Sequence, residues 1–169
     1  MSKNLDYKGL RAIANNYDLF YIDLWGVIHN GITLHKNAIK ALEEITKAKK
    51  QYVLLTNAPR PNNSVNLFLE KMGMNKEIRE KVYSSGEASL SYLKKNFIGK
   101  KFFHIGPPRD FDLFLDFKKD KTVEIKESYY LLCTGLFEER NEDLNYYKEL
   151  FKDHINKKMI CTNPDLIVD

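Results

Sequence analysis

Short apolar runs alternate with amphipathic segments along this chain, and two of the runs end abruptly in polar residues. The first run, within 18–28, reaches Asp23 after four apolar or aromatic residues, and the second, Gln51–Leu55, is followed by Thr56 and Asn57. Between the two runs, apolar side chains recur at helical spacing, at Ala38, Ala41, Leu42, Ile45 and Ala48. This pattern predicts a strand, a helix and a parallel return strand. It brings Asp23 and Thr56 to the carboxyl edge of one sheet, where open α/β folds bind ligands.

The same alternation continues along the rest of the chain and predicts an α/β fold. Apolar runs predict further strands at 82–85, 102–105, 130–133 and 158–161. Helices are predicted over 86–95 and around Tyr147. Residues 122–125 alternate between polar and apolar and predict an edge strand. Because the second strand is mostly apolar, both of its faces are expected to be buried.

Composition narrows the function classes. The chain has 169 residues, of which 43% are apolar and 30% charged, as is ordinary for a folded protein. Its formal net charge of +4 comes from dispersed lysines, which favours solvated loops over a nucleic-acid surface. The amino terminus lacks an apolar stretch, and no apolar run is long enough to span a bilayer. We therefore expect no nucleic-acid or membrane partner and a cytoplasmic location.

Two cysteines, Cys133 and Cys161, lie at the ends of apolar runs. Buried strand thiols are the expected state for both, although a disulfide between them stays open at this point. Nothing in the sequence indicates secretion, the setting in which disulfides are common.

Several stretches together resemble a known family. The segment 23–28 and the strand end at 54–57 resemble the first two motifs of the haloacid dehalogenase (HAD) type phosphohydrolases. Those motifs are Asp-x-Asp-Gly-(Thr/Val)-(Leu/Ile/Val) after an apolar strand, and an apolar strand ending in Thr or Ser. At Gly31 and at 38–42, 133–137 and 161–165 the chain also resembles the class IIA members, which carry an α/β cap. The resemblance covers nearly the whole chain. It implies a HAD-like Rossmannoid parallel sheet (a partial core) over 1–92, followed by a partial α/β cap over 93–169.

The resemblance also implies roles for individual residues. Asp23 takes the position of the nucleophile, which forms an aspartyl-phosphate, while Thr56 and Asn57 take the phosphate-binding positions. Asn163 and Asp165 fall in the substrate-facing loop of the cap. The family binds Mg²⁺ through the nucleophile and through the backbone carbonyl two residues later, here that of Trp25. The implied substrate is a small phosphorylated metabolite.

One position departs from the family pattern. The second aspartate, which protonates the leaving group, is replaced by Trp25. Indole offers only an N–H donor without usable acidity. The role of Trp25 stays open between stacking on a ligand, filling the vacated acid position and contacting the cap. His29 and His35 lie nearby without a second ligand at metal spacing, so structural or exposed roles are expected for them.

The family's third and fourth motifs, a lysine and an acidic pair, are not found in this sequence. We therefore expect a truncated or split family member, or a trimmed chain, which is inactive alone. The alternative is a non-enzymatic Rossmann-like binding or interaction module. In either case an incomplete sheet predicts a partner, either a second copy in a homo-oligomer or a complementing second chain. A receiver-type phosphoacceptor also needs an acidic pair and a lysine, and neither is evident.

Overall fold

The computed structural model describes residues 9–140 and 143–163 of the chain. The strands are β1 (Leu19–Asp23), β2 (Gln51–Thr56), β3 (Val82–Ser84), β4 (Phe102–Ile105), β5 (Tyr130–Cys133) and β6 (Lys158–Cys161). The helices are α1 (Lys36–Lys47), α2 (Asn62–Lys71), α3 (Lys76–Arg79), α4 (Ser85–Asn96) and α5 (Leu144–Lys152). A long 3-10 segment, Pro108–Asp120, follows β4. In these ranges no helix combines the length and the apolar character that a bilayer crossing requires.

The described residues divide into two compact units, and each contains one sheet. The first unit extends to Thr56 and includes 66–83, whereas the second holds 57–65 and everything from Ser84 onward. The strand orders are β1-β2-β3 and β4-β5-β6. The pairs β1–β2, β4–β5 and β5–β6 are parallel. The α/β prediction with parallel sheets is therefore confirmed. The predicted boundary at residue 92 stays a prediction, because compactness alone does not mark where a cap begins.

One face of the first sheet is buried and the other is exposed. Tyr52 and Leu54 of β2 are buried, and Tyr52 lies beside side chains of α1 and α3. On the opposite face Leu19, Tyr21 and Leu55 are exposed. The expectation that both faces of β2 are buried was therefore wrong. Successive side chains of a strand point to opposite faces, and the helices that contact the described sheet cover only one of them.

The second sheet has an apolar core on each face. On one face Phe102, Tyr130 and Leu132 pack with α4 and with the apolar side chains of the 3-10 segment 108–120. On the other face Ile105 and Leu131 pack with Tyr147 of α5. Among the described residues this sheet therefore has the layered arrangement that parallel strands need to bury both faces.

The segment 122–125 is not a strand, so the edge-strand prediction was wrong. Its backbone contacts the sheet at one point, where the Thr122 N–H donates to the Phe102 carbonyl at 2.8 Å. Val123 is 91% exposed, and a 3-10 turn begins at Ile125. A four-residue alternation fits a strand only if a neighbouring strand pairs along it, and here only an isolated bridge joins Phe102 to Lys121.

Both cysteines are free thiols on adjacent strands. Cys133 of β5 and Cys161 of β6 are direct register partners. Cys133 is partly buried, but Cys161 is exposed, which corrects the expectation of two buried thiols.

Candidate functional site

The ends of β1 and β2 bring the principal candidate residues together. Asp23, the last residue of β1, is the register partner of Leu55 in β2. The N–H of Leu24 then donates to the Leu55 carbonyl at 3.1 Å. Asp23 and Thr56 therefore lie one residue apart in register at the carboxyl edge of the first sheet. Asp23 is exposed and Thr56 is half-buried. The structure thus has the arrangement that the sequence pattern predicted for this edge, whereas the roles of both residues in binding phosphate stay predictions.

A tight turn after β1 holds Asp23 at the end of the strand. The N–H groups of Ile28 and His29 both donate to the Leu24 carbonyl, and the Gly26 N–H donates to the His29 carbonyl at 2.8 Å. Gly26 has a φ of 72°, a left-handed conformation that glycine adopts without steric cost. Leu24 is buried while Trp25 points outward and is 53% exposed. The turn therefore anchors Leu24 in the core and leaves Trp25, the next residue, half-exposed.

Trp25, His29 and Phe68 form what we term the aromatic row. The ring of Trp25 contacts His29 edge-on, with centroids 5.6 Å apart, and His29 contacts Phe68 at 5.7 Å. The Gly31 N–H donates to Nδ1 of His29 at 3.0 Å. A Cβ on Gly31 would lie 2.7 Å from the Trp25 ring, so only glycine leaves room for the indole. The ring is therefore held in place by its neighbours although half of its surface is exposed.

Electrostatics links Asp23 to the buried member of this row. Burial lowers the pKa of His29, and the neighbouring His35 lowers it further, while the carboxylate of Asp23 acts in the opposite direction. His29 therefore favours the neutral form, with Nδ1 as the acceptor for Gly31 and Nε2 carrying the proton. This packing agrees with the structural role expected for His29.

The described residues do not make a magnesium site on their own. Among them, no group of three or more His, Cys, Asp or Glu side chains is arranged to hold a metal ion. Asp23 and the Trp25 carbonyl offer two oxygen donors, whereas Mg²⁺ requires six ligands in octahedral geometry. Waters and substrate oxygens would have to supply the rest.

The remaining predicted residues lie elsewhere along the chain. Asn57 and Asn163 both belong to the second unit. Thr162, just before Asn163, is fixed by its N–H, which donates to the Cys133 carbonyl at 2.9 Å, and by its carbonyl, which accepts from the Ser85 hydroxyl. The loop at Asn163 therefore starts from a well-anchored strand end. Asp165 lies outside the described residues.

Sequence reasoning missed a buried polar cluster in the second unit. His104 Nε2 lies 2.9 Å from the Thr134 hydroxyl, which also hydrogen-bonds to Asp110. All three residues are buried. A Cβ on Gly106 would overlap the Thr134 hydroxyl, so the close approach requires glycine. A signal was present in the sequence, since His104 lies one residue before the end of β4 and Thr134 directly follows β5, so both lie near the carboxyl ends of consecutive strands.

Burial shifts the pKa values of this cluster in opposite directions. Removal from water, with the Lys121 ammonium nearby, lowers the pKa of His104 to about 4. Burial raises the pKa of Asp110, although the hydrogen bond from Thr134 partly offsets it. Both shifts follow from the cost of a buried charge.

Comparison with known proteins assigns the fold to one family. Residues 20–117 match the sequence profile of the haloacid dehalogenase-like hydrolases. A haloacid dehalogenase-like hydrolase from Brucella suis 1330 is 31% identical and superposes with a TM-score of 0.81 over 95% of this chain. This chain spans 59% of that protein's length. No curated protein sequence matches.

Two more distant structures share the fold alone. A p-nitrophenyl phosphatase from Archaeoglobus fulgidus is 18% identical, with a TM-score of 0.66 over 89% of this chain and 57% of its own. A glycerol phosphate phosphatase from Mycobacterium tuberculosis, in complex with magnesium, is 18% identical, with a TM-score of 0.63 over 90% of this chain and 46% of its own.

Proposed function

Since this chain belongs to the haloacid dehalogenase-like hydrolase family, we propose that it carries a site for a small phosphorylated metabolite with Asp23 as the nucleophile. The observation that carries the proposal is the register of β1 and β2, in which Asp23 lies one residue from Thr56 at the carboxyl edge of the sheet. Thr56 and Asn57 bind phosphate oxygens in this proposal. The p-nitrophenyl phosphatase and the glycerol phosphate phosphatase described above share this fold, which is consistent with a phosphate-binding site at this edge.

The proposed reaction uses covalent catalysis. A carboxylate oxygen of Asp23 attacks phosphorus, the bond between phosphorus and the ester oxygen breaks, and that oxygen leaves with the electron pair. The Thr56 hydroxyl donates a hydrogen bond to a non-bridging oxygen. Water then hydrolyses the aspartyl-phosphate, which releases inorganic phosphate and regenerates the carboxylate.

The residue at position 25 limits which esters react. Trp25 cannot protonate the departing oxygen, and general acid help is typically worth about 10²–10⁴-fold. Alkyl phosphates, whose alkoxides leave poorly, are therefore turned over very slowly at best. We propose that the chain alone is nearly inactive on them.

Magnesium belongs to the proposal as a weak ligand. It would be held by Asp23 and the Trp25 carbonyl and would neutralise phosphate charge when bound. Two protein oxygens are few for this ion, and phosphoryl transfer depends mainly on positioning and charge neutralisation. Full activity therefore requires further cationic and carboxylate groups, from the same polypeptide or from a complementing second chain.

The first test is hydrolysis of p-nitrophenyl phosphate by the purified chain with Mg²⁺. This ester needs little protonation of its leaving group, so the absence of an acid at Trp25 matters least. Any turnover should be abolished in Asp23→Asn. Asp18→Asn, at the other end of β1, is the matched control because its side chain is exposed and carries only a surface ion pair with Lys50. Turnover that survives in Asp23→Asn would contradict the nucleophile assignment.

The second candidate function is a non-enzymatic binding or interaction module. The exposed face of the first sheet favours it, because apolar strand residues such as Tyr21 (68% exposed) offer a surface for another polypeptide. Absence of turnover together with loss of phosphate binding in a folded sample would support this alternative. Phosphate binding that weakens on Thr56→Ala would support the phosphatase lineage.

A further inference from the structure

A half-exposed tryptophan, Trp25, lies two residues after the proposed nucleophile, Asp23. The aromatic row holds Trp25 on one side, through the edge contact with His29 at 5.6 Å. Gly31 makes room for the ring on another side, since a Cβ there would lie 2.7 Å from it. Even so, 53% of the residue remains exposed. The neighbours that order the ring thus leave an immobilised aromatic surface two residues from Asp23.

We propose that Trp25 makes this site selective for aryl phosphates, in which the phosphate is bonded directly to an aromatic ring, by stacking on that ring. The inference rests on the proposed function of Asp23 as nucleophile and names the substrate class for it. An ordered indole stacks on a planar ring at little entropic cost, because its rotamer is already fixed before the ligand arrives. Aromatic pairs of this kind add about 0.5–1.5 kcal/mol beyond area burial, or roughly two- to tenfold in affinity.

The chemistry of the leaving group leads to the same class. When Asp23 attacks phosphorus in an aryl phosphate, the bond from phosphorus to the aryl oxygen breaks and a phenolate leaves with the electron pair. A phenol has a pKa of about 10, so its anion departs without a proton from the protein. Trp25 therefore stands where the family has its general acid, and its indole also offers the aromatic ring of the ligand a surface for stacking. Stacking and unassisted departure both favour phosphate on an aromatic ring.

Gly31 both permits the local backbone conformation and leaves room for the Trp25 ring, so the position of the ring depends on two separate features of one residue. Gly31 has a φ of 87°, which disfavours any other residue, and it is also the point where a Cβ would displace the indole. The His29 ring beneath is fixed in turn by the Gly31 N–H at 3.0 Å. One short segment therefore sets the position of the ring and of its support.

The test measures binding, so it does not depend on turnover. Trp25 is the only tryptophan in the chain, which allows its fluorescence to report ligand contact in the wild-type protein. Affinities for phenyl phosphate, methyl phosphate and inorganic phosphate are measured by calorimetry with Mg²⁺ present. The variants are Trp25→Leu and the control Tyr17→Leu. Tyr17 is equally exposed at 53% but precedes β1, whereas Trp25 follows its other end.

We expect wild type and Tyr17→Leu to bind phenyl phosphate two- to tenfold more tightly than methyl phosphate or inorganic phosphate, with quenching of Trp25 fluorescence. Trp25→Leu should bind phenyl phosphate and methyl phosphate equally, and its far-ultraviolet circular dichroism spectrum should match that of the wild type, which shows that the variant is folded. Equal affinities in the wild type, or a preference that survives in Trp25→Leu, would overturn the inference and leave the proposed function standing. Failure to bind any of the three ligands would overturn the proposed function, and the inference with it.

Discussion

At the scale of single residues, three glycines determine where functional groups can approach one another. Gly26, with a φ of 72°, permits the turn after β1. Gly31, with a φ of 87°, leaves room for the Trp25 ring. Gly106 lets the Thr134 hydroxyl approach its backbone, where a Cβ would overlap it. A side chain at Gly31 or Gly106 would be strained both by the positive φ and by the neighbouring atoms, so glycine is strongly favoured at both positions.

His104 gives the residue-scale prediction, because its neutral form is favoured by folding. The pKa of His104 is lowered to about 4, whereas an unfolded histidine titrates near 6.5. Below about pH 6.5 the unfolded chain binds a proton that the folded chain does not, so the free energy of unfolding falls as the pH decreases toward 4. The contribution is on the order of 2–3 kcal/mol. Urea unfolding between pH 7 and about 4 measures it.

The matched variant for this prediction is His104→Gln, which can still hydrogen-bond to Thr134 but does not titrate. Asp110 has a raised pKa and therefore acts in the opposite direction, as the folded state binds its proton more readily. Taking the difference between wild type and His104→Gln removes that contribution. Parallel pH profiles for the two proteins would contradict the prediction.

At the scale of elements, one arrangement recurs in both sheets. Near the carboxyl ends of consecutive parallel strands, polar residues approach one another, Asp23 and Thr56 in the first sheet and His104 and Thr134 in the second. In the first sheet Asp23 is exposed. In the second sheet His104 and Thr134 are buried and hydrogen-bond to each other. Asp23 is therefore accessible to solvent, whereas His104 and Thr134 join β4 to the residue that follows β5.

The pairing of β5 with β6 yields the prediction for the cysteines. Burial and the neighbouring Cys161 thiol raise the pKa of Cys133 to about 11, and Cys161 is exposed. Because the thiolate is the reactive form, Cys161 should react with Ellman's reagent much faster than Cys133 at pH 8. Stopped reactions followed by peptide mapping distinguish the two sites.

The controls are Cys161→Ser, which should lose the fast phase, and Cys133→Ser, which should retain it. Comparable rates for both thiols in the wild type would mean that Cys133 is more accessible than its burial indicates.

At the scale of the whole molecule, the two sheets differ in how completely they are covered. The second sheet has apolar cores on both faces, whereas the first exposes Leu19, Tyr21 and Leu55 on one face. In the described part of the chain, β1 is also an edge strand. Unpaired edges beside apolar faces favour association. A complementing chain is the other partner that the sequence indicates, and the chain spans 59% of its Brucella relative.

We predict that the chain self-associates through the exposed face of the first sheet. Multi-angle light scattering should detect dimers whose fraction rises with concentration, and Tyr21→Lys should reduce that fraction by placing a charge on the face. Val123→Lys is the control, since Val123 is exposed in a loop outside the strands. A monomer at every concentration, or an equal effect of both substitutions, would exclude this interface.

The sequence by itself determined the six strands of the two sheets and the approach of Asp23 to Thr56 at one sheet edge. Both follow from local periodicity and from the rule that parallel strands present their carboxyl ends at one edge. Several motifs in the right order, at 23–28, 54–57, 133–137 and 161–165, together indicated the family. Local patterns of this kind survive folding, since neighbouring residues along a strand or helix keep their relative positions in the tertiary structure.

Only the tertiary structure decided which faces are covered, how exposed Trp25 is and that His104, Thr134 and Asp110 form one buried cluster. Burial depends on residues distant in sequence, such as Phe68 against His29, and no periodicity records it. The failure of 122–125 as a strand has the same cause, because a strand exists only where another strand pairs with it. The sequence thus placed Asp23 at the carboxyl edge of the first sheet, and the packing of distant residues determined which side chains surround it.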